Sequence, residues 1–216
     1  MRKNRATVKI TVEQLEAELK REKYKRQYSR VLRSTIYSLV VVAAVAVLVA
    51  VLLLPVLQIY GNSMSPTLKE GNIVVAVKGA ELEAGDLVSF YLGNKLLVKR
   101  YIAGPGEWVY IDRNGNVFVS DTKDGYQIES PLEEPYLIQK ALGDCNIEFP
   151  YQVPEDRIFV LGDKRETSAD SRNTTVGCIA EEQIVGKIVF RIWPINQFGT
   201  LLLENENITE EEVQDN

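Results

Sequence analysis

Ser63 and Lys99 are the residues of this chain whose types could do covalent chemistry together. Ser63 opens the run Ser63-Met64-Ser65-Pro66-Thr67, just beyond a long apolar segment. The chain contains no histidine. That removes the Ser-His-Asp triad, the Cys-His dyad and every histidine-ligated metal site. A serine nucleophile here needs another base, and Lys, Asp and Glu are the candidates. Lysine has a reference pKa of ~10.4 and is almost fully protonated at neutral pH, which makes it useless as a base. Burial in apolar surroundings can lower that value by several units. Lys99 is the best placed: on a strand it shares a face with Leu97 and Tyr101, while Arg100 points the other way. Residue types alone leave the bland readings open, an ordinary turn serine at 63 and a lysine snorkelling at a strand edge.

The elements that must position this pair begin with the chain before Ser63. Residues 1–33 hold eleven Lys/Arg against four Asp/Glu, although the whole chain of 216 residues has a net charge of −5. The remainder is therefore strongly acidic. No charged residue occurs from Ser34 to Leu68, and Ile36 to Leu57 is almost wholly Val, Ala and Leu. As a helix that segment spans about 33 Å, enough to cross a hydrocarbon core of ~30 Å. Its basic N-terminal flank is too long for an ordinary cleaved signal peptide, so it reads as a retained signal-anchor. Lys20, Arg21, Lys23, Lys25, Arg26, Arg30 and Arg33 hold the N-terminus in the cytoplasm on this reading. The expected location is the cell membrane, single-pass and type II, with the acidic body outside. Ser63 follows six residues after Leu57, a reach of at most about 20 Å, which keeps it near the bilayer surface. Pro66 forbids helix continuation and restricts Ser65, so the serine lies on a turn or an extended segment.

Residues 11–33 read as a helix, with Thr11 and Gln14 as a capping box. Beyond Leu68 the signals turn strand-like. Ile73 to Val77 follows Gly71-Asn72, and Leu87 to Tyr91 follows Gly85-Asp86. Leu96 to Ile102 follows the turn signal Gly93-Asn94 and makes a hairpin with Leu87–Tyr91. Trp108 to Ile111 and Val117 to Val119 flank Asn114-Gly115 as a second hairpin. Arg157 to Leu161 and Ile184 to Trp193 supply further strands. Residues 121–153, with Pro131, Pro135 and Pro150, show little period and read as an inserted sub-domain. The expected fold is mainly β: a single N-terminal transmembrane helix, then an extracytoplasmic antiparallel β domain with a small insert. The divisions are 1–33 cytoplasmic, 34–58 signal-anchor, 59–203 catalytic and 204–216 an acidic tail. Cys145 and Cys178 could form a disulfide if outside, but two unpaired, partly buried thiols are favoured, and their spacing fits no metal motif. The glycosylation-type sequons at Asn173 and Asn207 carry no weight.

Three separated segments resemble those of bacterial type I signal peptidases, membrane-bound Ser-Lys endopeptidases, with a Gram-positive-like cast. Ser63-Met64-Ser65-Pro66-Thr67-Leu68 is similar to the family's Ser-Met-x-Pro-Thr box. Val98-Lys99-Arg100-Tyr101-Ile102-Ala103-Gly104-Pro105-Gly106-Glu107 is similar to its lysine box. Gly162-Asp163-Lys164-Arg165-Glu166-Thr167-Ser168-Ala169-Asp170-Ser171-Arg172 is similar to its Gly-Asp-Asn-Arg-x-x-Ser-x-Asp-Ser-Arg box. The resemblance covers roughly residues 35–200.

It implies Ser63 as nucleophile and Lys99 as general base. Ser168 is implied to orient the lysine amine, and Asp170 with Arg172 to form a supporting salt bridge. Ser171 and Arg165 are implied as scaffold. Two positions depart from the pattern. Lys164 stands where asparagine is frequent, and should be tolerated. Gly61 stands where some relatives have an oxyanion-stabilising serine, so the oxyanion would rely on backbone N–H groups, including that of Ser63. The implied activity is cleavage of signal peptides from exported preproteins at Ala-x-Ala-like sites. The implied partners are those signal peptides, the lipid bilayer and the secretion translocon, with no nucleic acid, metal or cofactor. The rival readings are a soluble self-cleaving repressor-type Ser-Lys protease, opposed by the membrane span, and a catalytically dead assembly module, opposed by the retention of both Ser63 and Lys99.

Overall fold

A computed structural model describes residues 12–201. Thr11 of the expected capping box, the sequon at Asn207 and the acidic tail lie outside the described residues.

One continuous helix, α1, runs from Val12 to Leu53. The basic segment and the apolar span are thus a single element. The helix ends at Leu53 and not at the expected Leu57. Pro55 explains the shortfall, because it disfavours helical geometry at the residue before it and donates no backbone hydrogen bond. The charge-free part from Ser34 to Leu53 is still roughly 30 Å long at 1.5 Å per residue, and long enough for a hydrocarbon core. It is the one helix among the described residues that is long and apolar enough to cross a membrane. Its apolar side chains, from Ile36 to Leu53, are exposed.

A separate compact unit begins at Leu53. Residues expected at the end of the span instead form a short strand, β1 (Val56–Gln58). It pairs antiparallel with β2 (Ile73–Val77), Leu57 opposite Val74. β3 (Leu87–Leu92) and β4 (Lys95–Ala103) form the expected hairpin, with Val88 opposite Lys99. β5 (Trp108–Ile111) and β6 (Val117–Ser120) form the second hairpin, joined by β7 (Tyr151–Gln152) in a three-stranded sheet. β8 (Arg157–Leu161), β9 (Ile179–Ala180), β10 (Ile184–Trp193) and β11 (Gly199–Thr200) complete the larger sheet. Its order is β1-β2-β10-β3-β4-β8-β9, with β11 on β10. Each strand pairing described is antiparallel. β4 is therefore an interior strand, flanked by β3 and β8, and this placement decides the environment of Lys99.

Three apolar clusters support these sheets. The first holds Ile59, Met64, Leu68, Val74, Ala76, Leu87 and Ile188. The second lies against the smaller sheet and includes Ile102, Val109, Ile111, Val117, Phe159 and Leu161. The third joins Val88, Phe90, Ile158, Val160 and Ile179. Cys145 and Cys178 are both free thiols. The Cys178 thiol faces the Tyr151 hydroxyl at 3.9 Å, and burial pushes its pKa up, which keeps it in the unreactive neutral form.

Candidate active site

Ser63 is carried by a turn rooted in the core. Met64 and Leu68 are both buried in the first apolar cluster, and the Leu68 N–H donates to the Met64 carbonyl at 2.8 Å. That bond closes the turn, and both side chains enter the same cluster. Ser63 itself is left half-buried. Gly61, two residues earlier, has φ +80°, and a Cβ there would meet nothing within 4 Å. Glycine suits the position because of its backbone conformation, not because space is short.

Lys99 lies on β4 and is 3% exposed. Its amine donates to the Ser168 hydroxyl at 2.9 Å. Desolvation by burial lowers its pKa from 10.5 to about 8, and this is the largest effect. The Asp170 carboxylate pulls the value up, Arg172 pushes it down, and Asp163 pulls it up. The amine's own hydrogen bond goes to a neutral hydroxyl rather than to a carboxylate.

Ser168 comes from the loop after β8. Gly162 opens that loop and shows how it meets the turn that carries Ser63. A methyl group at Gly162 would collide with the Ser168 side chain and lie within 2.9 Å of the Ser63 carbonyl oxygen. The loop also grips Ser63 directly, since the Lys164 N–H donates to the Ser63 carbonyl at 3.0 Å. Ser63, Gly162, Ser168 and Lys99 are thus brought to one place from three distant stretches of chain. The Lys164 side chain points to solvent, so nothing buried requires asparagine there.

Asp170 and Arg172 hold the loop from beneath. Both are fully buried. Arg172 donates through Nε to Asp170 Oδ1 and through Nη2 to Oδ2, each at 2.8 Å. Asp170 Oδ2 also accepts the Gly162 N–H at 3.0 Å, and Arg172 Nη2 donates to the Arg165 carbonyl at 2.8 Å. Ser171 accepts the Val160 N–H and donates to the Gly177 carbonyl, which fastens the loop to β8.

Sequence reasoning gave no role to several residues that complete this arrangement. Arg100, on the opposite face of β4 from Lys99, forms a buried two-point ion pair with Asp163. Thr67 of the serine run donates to the same carboxylate at 2.5 Å. Glu134, from the insert, forms a buried ion pair with Arg165. The ring of Tyr136, two residues on, covers the Arg100 guanidinium at 3.8 Å. Thr67, Arg100 and Asp163 stood inside the motifs and were within reach of a sequence argument. Glu134 and Tyr136 gave no signal, for an acid and a tyrosine are unremarked in an acidic loop.

A small cleft opens at Ser63, lined by Gln58 to Gly61 and by Leu96 to Val98. A model of the family "Signal peptidase, peptidase S26" matches residues 32–193, which include all three motif segments.

The chain belongs to the signal peptidase family, peptidase S26.

Family relatives agree. The chain is 38% identical to signal peptidase IB of Staphylococcus aureus (strain COL) over 161 residues, covering 65% of this chain and 78% of that protein. It is 31% identical to signal peptidase I of Streptococcus pneumoniae serotype 4 over 175 residues, covering 67% and 84%. Among solved structures, a crystal structure of a signal peptidase I from Enterococcus faecalis V583 is 25% identical, with a TM-score of 0.34 over 50% of this chain and 97% of that one.

Proposed function

We propose that this signal peptidase family member is a membrane-anchored serine endopeptidase that cleaves N-terminal signal peptides from exported preproteins, with Ser63 as nucleophile and Lys99 as general base. One observation carries the assignment of the pair. The Lys99 amine is buried, has a pKa lowered to about 8, and is held by a hydroxyl on the loop that grips the Ser63 carbonyl.

Neutral Lys99 takes the Ser63 proton as the hydroxyl attacks the scissile carbonyl. The lysine then gives that proton to the departing amine, and the mature chain leaves. The signal peptide remains as an ester on Ser63. Lys99 next activates a water, which hydrolyses the ester and restores the serine. Backbone N–H groups near Ser63 stabilise the oxyanion, since Gly61 offers no side-chain donor. The cleft at Gln58–Gly61 and Leu96–Val98 takes the residues before the cut, and its small size favours alanine-like side chains. Ser168 orients the amine, and the Asp170–Arg172 pair orients Ser168.

The apolar helix anchors the protein in the cell membrane. Its basic flank keeps the N-terminus in the cytoplasm, and the β domain stands on the outer side, where exported chains emerge from the translocon.

The test uses the purified full chain in detergent and a preprotein with an Ala-x-Ala site. Ser63→Ala and Lys99→Ala each abolish cleavage while the circular dichroism spectrum stays native. Full activity in either variant overturns the pair. The rate against pH rises through a midpoint near about 8, the value set by burial of Lys99. A rate still climbing at the ordinary lysine value of ~10.4 contradicts a desolvated base.

A further inference from the structure

The insert of residues 121–153 has no part in the chemistry just described, yet two of its side chains reach the motif segments. Glu134 is buried with Arg165, their side chains 0% and 1% exposed. Arg165 donates to it through both Nη1 and Nη2. The Tyr136 hydroxyl donates to Glu134 Oε1 at 3.0 Å, and the Tyr136 ring lies on Arg100. Arg100 is the neighbour of Lys99 on β4. At the other end, Arg165 Nε donates to the Gly162 carbonyl at 3.1 Å. The Gly162 N–H is already held by Asp170. The loop carrying Ser168 is therefore fixed on both sides of Gly162, and one of those restraints depends on the insert.

Charge is an expensive way to fill this space. Burying an ion carries a large desolvation cost, and well-packed apolar side chains of similar volume often serve stability as well or better. What a buried ion pair with two-point geometry adds is direction. Burial also pushes the Tyr136 pKa far above the usual tyrosine value, so its hydroxyl stays a donor to Glu134.

We propose that Glu134 and Tyr136 are positioning residues for the Ser63–Lys99 centre, clamping the Gly162–Ser168 loop to β4 so that Ser168 stays within hydrogen-bond reach of the lysine amine. The inference rests on the function proposed above.

Glu134→Gln and Tyr136→Phe test it in the full chain in detergent. In Glu134→Gln, kcat on an Ala-x-Ala preprotein falls about tenfold or more while KM stays within about twofold, as expected for a loss felt in the transition state. The pH–rate midpoint moves up by roughly half a unit or more, because a loosened loop admits water to the amine. Tyr136→Phe removes one hydroxyl and shows the same pattern at about threefold. Val117→Ala, in the core behind the smaller sheet, is the control: it lowers Tm with kcat and midpoint unchanged. If Glu134→Gln does not fold, Tyr136→Phe decides. Wild-type kcat and midpoint in every folded variant overturn the clamp, as does an equal change in Val117→Ala. A separate readout does not need turnover: the pH dependence of Lys99 labelling by an amine-reactive reagent, followed by mass spectrometry, shifts upward in Glu134→Gln. That shift with no cleavage by the wild type would sink the function and keep the clamp. Cleavage with no shift does the reverse.

Discussion

The two faces of β4 treat neighbouring cations in opposite ways. On one face, Arg100 is buried with every advantage a cation can have: a two-point carboxylate, the Gly85 carbonyl at 2.7 Å and an aromatic ring. On the other, Lys99 is buried almost as deeply but bonds to a hydroxyl. The same strand thus stabilises one charge and starves the next. Asp170, the carboxylate that pulls hardest on the Lys99 proton, is occupied by Arg172 and the Gly162 N–H. The lesson is that drying a lysine is not enough. The carboxylates around it must also be spent on other partners, or they would hold its proton in place. A third region makes the contrast plainer. On α1, Arg21–Glu18 and Arg26–Glu22 are 3.8 and 3.9 Å apart and largely solvated, so they specify little.

The largest effect comes from breaking the satisfied face. Asp163→Asn leaves the buried Arg100 charge without its counter-ion, and denaturant unfolding should show a loss of about 3–5 kcal/mol. The starved face behaves in the opposite sense. The folded state holds Lys99 at about 8 against 10.5, so between those values the unfolded chain binds the extra proton and stability rises with pH. Below about 8 the whole penalty is present. Lys99→Met removes it, and the variant should be more stable than wild type by on the order of 3 kcal/mol at neutral pH. That gain fades as pH climbs from about 8 towards 10.5. A stability difference that does not change with pH would contradict the contrast between the faces. The smallest effect belongs to Lys164→Asn: with that side chain in solvent, kcat/KM on the same preprotein should move by less than about twofold.

Much of the β domain was legible because turn chemistry marks its strands. Gly71-Asn72 precedes β2, Gly85-Asp86 precedes β3 and Gly93-Asn94 joins β3 to β4, as the sequence reading expects. Ser63, Lys99 and the loop after β8 were legible as motifs, and the structure places them together. The helix end was misjudged through hydropathy, which runs on to Leu57, whereas Pro55 stops the helix and frees Val56–Gln58 to pair with β2. The insert was opaque for a deeper reason. Its contribution is made by isolated side chains on irregular backbone, held by partners some thirty residues away, and no period or turn signal records such contacts.

The turn that carries Ser63 has a consequence for how this protein can be altered. Met64 and Leu68 belong to the same apolar cluster as Ile59, Val74 and Ile188. Any attempt to harden the molecule by repacking that cluster also moves Ser63, the proposed nucleophile, so gains in endurance there come coupled to changes in rate. The cluster around Val109, Ile111 and Val117 holds no residue of that turn; it reaches Ile102 on β4 and Leu161 beside Gly162, so a more durable variant is best sought at its β5–β6 end.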